Sequence, residues 1–358
     1  MQGFYPTRFK DKCHPDYFRA LESMSFSEIG IGTFGGEAKN IVDDKIVRTC
    51  VDAVKSGINV IDTSPAYRYQ RSEKAVGRAL KQLDADTLRQ ETILITKAGI
   101  ITSDSPRIST AEHAEQDLIP AGVQPGQMLG TFYSISPSYL DFSLQRSLKH
   151  LGRERIDLFL LESLEVIAER ISEENLLLLL EQAFSFLERC VESGTIRNYG
   201  ISSHSGFTTA AGDKGHLPLD RILQCARNCG GDSHHFRFLQ VPLSLGDLRP
   251  LNTLTATTAG NLTLPETAAS YDLHFLAYMP LAQGQLVDDL PPEIAENFPD
   301  CVTDPLRALQ FVRSTPGVKH VTVGMRNRSH LDENLQLSTI SPAASATWRG
   351  LFTDEKAI

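Results

Sequence analysis

Four short segments each end an apolar run on a side chain that can do chemistry. They are NVID with Asp62 and, five residues on, Tyr67; ILITK with Lys97; RIDLFLLE with Glu162; and YGISS with Ser202 and Ser203. Buried parallel strands read as continuous Val/Ile/Leu runs, and a polar residue just past the C-terminal end of one stands where α/β barrels carry their active sites. Asp62, Tyr67 and Lys97 together make a coherent acid. A tyrosine hydroxyl ordinarily titrates near pH ~10. A buried ammonium beside Tyr67 is expected to lower that value, and a carboxylate would keep the lysine charged and oriented. The tyrosine would then give a proton to a carbonyl oxygen as hydride reaches the carbon. Packing alone is a poor account of four such strand ends, and the chain reads as an enzyme.

These residues need a frame, and the sequence offers eight strand-like runs. They fall at 29–34, 59–62, 92–97, 157–161, 198–202, 238–241, 274–278 and 320–323. Helical periodicity fills 43–57, 72–83, 136–152, 172–194 and 304–318, with Ser72 and Ser172 as expected N-caps, Pro305 in a first turn and Gly152 and Gly194 as stops. Eight strands alternating with helices predict an α/β fold, the (β/α)8 TIM barrel. No linker divides the chain, so one domain is expected over 1–358, its barrel core at about 25–340. A Gly/Pro/Ser-rich stretch at 100–135 follows the third strand and is expected to lie over the barrel mouth. A tail at 341–358 carries the single tryptophan, Trp348, and is expected to join the 100–135 stretch in choosing the substrate.

At 358 residues, with 41% hydrophobic content, the chain can build a full core, and its net charge of −9 argues against nucleic acid or an anionic membrane as partner. The N-terminus lacks the apolar segment of a signal peptide, no apolar run approaches 18 residues, and the Leu176–Leu180 run sits in a helical pattern with charge on one side. A cytoplasmic protein is expected, with its six cysteines reduced and without metal-ligand spacing. His234-His235 has no carboxylate or cysteine at ligand spacing and reads as solvated loop. Gly30-x-Gly32-x-x-Gly35 matches a dinucleotide fingerprint with Asp62 ending the next strand. However, EAKNIVDD separates the glycines from the helix that follows, so no helix N-terminus points at them, and they read as the first barrel strand and its turn.

From about Ser25 to Asn334 the chain resembles the aldo-keto reductase superfamily, and its bacterial, sugar-type members most. The segments that carry the resemblance come in the family's order: Gly-x-Gly-Thr; Asp62-Thr-Ser-Pro-Ala-Tyr67; Thr96-Lys97; SLKHLGRERIDL; Gly200-Ile-Ser202-Ser203; Gln240-Val-Pro-Leu-Ser-Leu245; AYMPLAQG over 277–284; and GMRNRSHLDENL over 324–335. The resemblance implies a barrel that binds NADP(H) and reduces a small carbonyl compound (aldehyde, ketone or sugar) to an alcohol. Asp62, Tyr67, Lys97 and Glu162 would be its catalytic residues. By position, Ser202, Ser203 and Gln240 would hold the nicotinamide carboxamide, and Tyr278 would stack on the ring. Gly32, Thr33, Phe34 and Asp62 would border the cofactor, and Met279, Pro280, Leu281, Gln283 and Gly284 would line its pyrophosphate. Gly324, Met325, Arg326, His330, Glu333 and Asn334 would surround the adenosine. Arg326 and Arg328 would supply charge for a 2′-phosphate; the alternative is two solvated loop arginines.

Three departures from the family pattern bear on activity. Glu162 stands where the family has histidine, Ser203 replaces asparagine, and Met279 replaces serine. The steroid 5β-reductases carry glutamate at that strand end and reduce a conjugated C=C bond, and a protonated Glu162 would donate to an enone oxygen in the same way. A divergent carbonyl reductase is the other reading. A regulatory protein that binds NADPH with little turnover is the third, and the intact Asp62, Tyr67 and Lys97 argue against it.

Overall fold

The computed structural model describes residues 4–83, 88–257 and 260–352. Its centre is a closed barrel of eight parallel strands. In chain order these are β1 (Ile29–Gly32), β2 (Val60–Asp62), β3 (Ile93–Ala98), β4 (Ile156–Glu162), β5 (Ile196–Ser202), β6 (Phe236–Pro242), β7 (His274–Tyr278) and β8 (Val318–Gly324). Each pairs with the next, and β8 returns to β1 through Val321 opposite Ile29. The helices that follow them are α1 (Asn40–Lys55), α2 (Arg71–Leu80), α3 (Pro137–Leu151), α4 (Glu173–Glu192), α5 (Leu219–Gly230), α6 (Leu264–Ser270), α7 (Asp304–Ser314) and α8 (Arg328–Asn334). No described helix is long and apolar enough to cross a membrane.

Strand side chains alternate between the interior and the helical layer, and this alternation aims the site residues. Val60, Ile93, Ile95, Leu158, Leu160, Phe238 and Leu276 form one interior cluster. Two residues beyond the last interior apolar position of each strand stand Asp62, Lys97, Glu162, Gln240 and Tyr278. The polar residues therefore share the interior parity and emerge together at the C-terminal mouth. The other end is shut by an antiparallel hairpin, Phe18–Leu21 with Met24–Ser27, whose Leu21, Met24 and Phe26 join the interior cluster. Above that plug His320 is fully buried and neutral, its pKa lowered to about 4 by desolvation.

Four local expectations change. Ser72 does not cap α2: the cap position is Gln70, and the Ser72 hydroxyl donates instead to the Thr33 carbonyl at 2.8 Å. The 100–135 stretch is not structureless. It holds a helical turn at Thr110–His113 with a Ser109 capping box, a π turn at Ala114–Leu118 and a 3-10 turn at Pro125–Gln127. His234 is buried and not solvated, while His235 is partly exposed and its ring bonds Glu188 at 2.7 Å. The tail through residue 352 does not approach the mouth. Trp348 donates to the Phe311 carbonyl and stacks on its ring, while Ala343 binds Ser314 at the C-terminal end of α7. Barrel helices run antiparallel to the strands, which puts that end beside the hairpin. Ser172 does cap α4, accepting from the Asn175 amide, and Gly152 ends α3 in left-handed conformation.

Candidate active site

Lys97 is 1% exposed, and its Nζ donates to Asp62 Oδ1 at 2.6 Å and to the Thr63 carbonyl at 3.1 Å. A buried ammonium without a counter-charge is expensive, and Asp62 supplies one. The other Asp62 oxygen accepts from Gln240 Nε2 at 2.5 Å, and Gln240 Oε1 accepts from Ser202 Oγ at 2.8 Å. Four strand ends (β2, β3, β5 and β6) are thus joined in one hydrogen-bonded line. Residues at sequence separations of 35 to 178 meet there, as the strand-end pattern anticipates.

The Tyr67 ring lies over this line, its centroid 5.0 Å from Lys97 Nζ, with Phe34 packed edge-on at 5.1 Å. The expectation that Lys97 lowers the phenol pKa is overturned. Burial, followed by the charges of Asp62 and Glu162, pushes the hydroxyl well above its usual value. The Lys97 charge is already matched by Asp62, and two carboxylates face the phenol. Tyr67 therefore holds its proton through and beyond the neutral range.

Glu162 ends β4, and its Oε2 accepts from Ser64 Oγ at 2.9 Å. Burial pushes this carboxyl up, against the opposing pull of Lys97 and of the Ser64 bond. Its main-chain carbonyl accepts from Tyr133 at 2.9 Å, which ties the 100–135 segment to the mouth. A side chain at Gly99 (φ +141°) would bring Cβ within 2.6 Å of that same carbonyl, so glycine is needed where β3 leaves the barrel.

Ser203 is engaged differently from Ser202. Its hydroxyl donates to Glu165 Oε2 at 2.8 Å and accepts from the Gly206 amide at 2.9 Å, while Glu165 Oε1 accepts from the His204 amide at 2.8 Å. Sequence reasoning missed Glu165. Nothing in the spacing of LESLEV marks it, because its partners lie 38 and 39 residues away. Tyr278 is half-buried at the end of β7, its hydroxyl 3.4 Å from His204 Nδ1. Beyond it Met279 and Gln283 adopt left-handed backbone (φ 57° and 58°), Pro280 is buried, Leu281 is half-buried, and Gln283 and Gly284 are exposed.

At the end of β8, Gly324, Arg326 and His330 are exposed, and Met325 and Asn334 are buried. Arg326 lies across the turn after β1: a Cβ at Gly36 (φ +102°) would come within 2.9 Å of its Nη1. Arg328 bonds Asp332 at 2.7 Å and Asp52 at 3.1 Å, so its charge is matched on α8 and α1. Glu333 accepts from Thr303 at 2.7 Å, at the start of α7. Thr33 donates to the Asp62 carbonyl at 3.0 Å, Gly32 pairs with Asp62 across β1 and β2, and Phe34 is 63% exposed. The mouth thus brings together the residues expected at each strand end, but it leaves Arg326 as the arginine of that pair without an acidic partner among the described residues. No described His, Cys, Asp or Glu cluster is arranged to hold a metal ion.

The family profile described as the aldo/keto reductase family matches residues 28–211. Over 142 residues the chain is 30% identical to an NADH-specific methylglyoxal reductase of Escherichia coli, 38% of each chain. Over 337 residues it is 24% identical to a D-threo-aldose 1-dehydrogenase of a Pseudomonas species, covering 90% of this chain and 92% of that protein. In three curated relatives, the first of these among them, the match spans only 38 to 46% of the relative's length. Among solved structures, the holo form of an aldo-keto reductase from Bacillus halodurans superposes with a TM-score of 0.65 at 20% identity, over 93% of this chain and 94% of that one. An aldo/keto reductase from Klebsiella pneumoniae in complex with NADP and acetate gives 0.63 at 20% identity, over 94% and 95%. At these identities the structural likeness is one of fold.

Proposed function

The chain belongs to the aldo/keto reductase family, and from that premise we propose that it is an NADPH-dependent reductase of a small aldehyde, ketone or sugar carbonyl, with Tyr67 as proton donor. The observation that carries this reading is the Lys97–Asp62 ion pair beneath the Tyr67 ring, at the open end of the barrel. The residues fit the cofactor. A flat, half-buried Tyr278 borders the mouth, Ser202 and Gln240 offer buried amide and hydroxyl groups, and Arg326 is an exposed cation without an acidic partner among the described residues. When bound, NADPH supplies the hydride. Tyr67 keeps its proton because burial and two carboxylates oppose ionisation, and releases it to the carbonyl oxygen as that oxygen gains charge. The transfer leaves Tyr67 as a phenolate, with the Lys97 ammonium 5.0 Å from its ring, and Asp62 keeps the lysine charged and fixed. The barrel core, its excursions and the tail are read as one domain.

Ser202 and Gln240, which belong to the hydrogen-bonded line that ends at Asp62, are assigned to the carboxamide, whereas Ser203 belongs to a separate group with Glu165. Arg326 alone is assigned to a 2′-phosphate. Calorimetric titration should give tighter binding of NADPH than of NADH, and Arg326→Ala should weaken NADPH by about tenfold while sparing NADH, as expected for one charge-assisted contact at an exposed site. Equal affinity of the parent protein for the two cofactors would remove the 2′-phosphate assignment. Protein fluorescence is a poor reporter here, since Trp348 lies against α7 at the far end of the barrel.

Glu162 favours a second reading, reduction of a conjugated C=C bond, because its raised pKa extends the range in which it can donate to an enone oxygen. Only the protonated form donates, so activity should be full at low pH and fall as pH rises through that raised value. Tyr67 titrates higher still and cannot produce this limb. Glu162→Gln, a donor at every pH, should flatten the basic limb; an unchanged profile would reduce Glu162 to a structural strand end. Single-turnover oxidation of bound NADPH against matched aldehydes, ketones and enones decides which bond is reduced. Failure to oxidise NADPH with any of them would leave a cofactor-binding regulatory protein.

A further inference from the structure

We propose that Arg68 and Gln70 are positioning residues for Tyr67, bracing its turn between the loops that follow β1 and β3. The inference rests on the reading of Tyr67 as proton donor. The three residues after it, Arg68, Tyr69 and Gln70, all adopt left-handed backbone, with φ of 55°, 57° and 63°. Side chains with a Cβ disfavour this region, and outside glycine it is visited singly. A run of three persists only where the surroundings over-determine it, and such segments gather at functional sites.

Two of the three side chains supply that determination, in opposite directions. Arg68 is buried and donates from Nε and Nη2 to the Glu37 carbonyl at 3.1 and 2.9 Å, while Nη2 also pairs with Asp43 of α1. Gln70 is buried, and its Nε2 donates to the Thr102 carbonyl at 3.0 Å, just beyond β3. The Gln70 amide turns back to the Pro65 carbonyl at 2.9 Å, closing the loop around Tyr67. Tyr69, between them, is exposed and makes no side-chain hydrogen bond among the described residues. Strain is thus shared by three residues and tethering by two.

Glycine separates these contributions, since it relaxes the left-handed backbone wherever it is placed. Tyr69→Gly removes strain and no tether. Arg68→Gly and Gln70→Gly each remove strain and one tether, and Asp43 still pairs with Arg71 in the first of them. If the run matters only to folding, all three variants should keep turnover, with Tm unchanged or raised by about 2–4 °C in Tyr69→Gly and lowered in the two variants that also lose a buried tether. Under the proposal they diverge. Arg68→Gly and Gln70→Gly should lose about 10- to 100-fold in kcat, the size of effect that a small misplacement of a catalytic group produces, with NADPH affinity within about twofold. Tyr69→Gly should keep the parent kcat. In a Tyr67→Phe background, the same two substitutions should cost less than about twofold further, because the group they position is gone.

Hydrogen exchange over residues 64–72 supplies a readout independent of turnover. Exchange should quicken in Arg68→Gly and Gln70→Gly but not in Tyr69→Gly. Parent-like exchange in the two tether variants overturns the proposal, as does a full multiplicative loss of kcat in the Tyr67→Phe background. Parent-like turnover of Tyr67→Phe by itself would refute the proton-donor reading, and exchange would still show whether the two side chains hold the turn.

Discussion

Tyr67→Phe is expected to lower turnover by about 10²- to 10⁴-fold, the range that a positioned general acid contributes. The substitution is clean because almost everything else that Tyr67 does belongs to its ring. A phenylalanine keeps the face 5.0 Å from Lys97 Nζ and the edge contact with Phe34. NADPH affinity should therefore stay within about twofold, and the unfolding midpoint should barely move, since the lost hydroxyl makes no side-chain hydrogen bond among the described residues. The loss should also be uniform across neutral pH, because the parent phenol is protonated throughout. Steady-state kinetics from pH 6 to 9, with calorimetric cofactor titration, makes the measurement. Turnover within tenfold of the parent would mean that another group, or water, delivers the proton.

Lys97→Met should cost stability as well as activity. The ammonium is buried and holds one Asp62 oxygen at 2.6 Å, leaving only Gln240 to answer the carboxylate once it is gone. Breaking one side of a buried pair typically costs about 3–5 kcal/mol, because the remaining charge is left uncompensated. Turnover should fall to background, as the phenolate left by proton transfer loses the ammonium beside it. The double variant Asp62→Asn/Lys97→Met removes the stranded charge and should recover much of the stability but none of the activity. Urea unfolding of the two proteins separates electrostatic from steric effects. A Lys97→Met protein that unfolds at the parent's midpoint would show that Asp62 is satisfied without the lysine.

Much of this arrangement is legible in the linear chain, and the reason is geometric. Each strand is a short run of Val, Ile, Leu and Phe because both faces are buried, so a polar residue at its end stands out. All eight runs proposed from sequence are barrel strands, and Asp62, Lys97, Glu162 and Ser202 emerge where their runs stop, whereas Gln240 lies inside its run and is marked only by the family resemblance. Side-chain pairing is what the sequence hides. Ser203 follows Ser202 directly yet serves Glu165, and Arg328 is matched by Asp52, 276 residues away. The direction of the Tyr67 shift was misread for the same reason. Spacing places a lysine near a phenol but does not reveal that the lysine's charge is already matched. The basal hairpin is hidden because FRAL and MSFS mix polar with apolar residues and lack the continuous apolar signature of the barrel strands. The short α6 and α8, of seven residues each, carry little more.

That hairpin has a consequence for the order of events. Leu21, Met24 and Phe26 close the base of a barrel whose interior is already filled by side chains, so reactants can enter and leave only at the mouth. Whatever binds deepest must arrive before, and depart after, whatever binds above it. Two reactants that overlie one another at such a mouth would behave as a stack, last in and first out, because the filled core and the ten-residue hairpin beneath it leave no second exit.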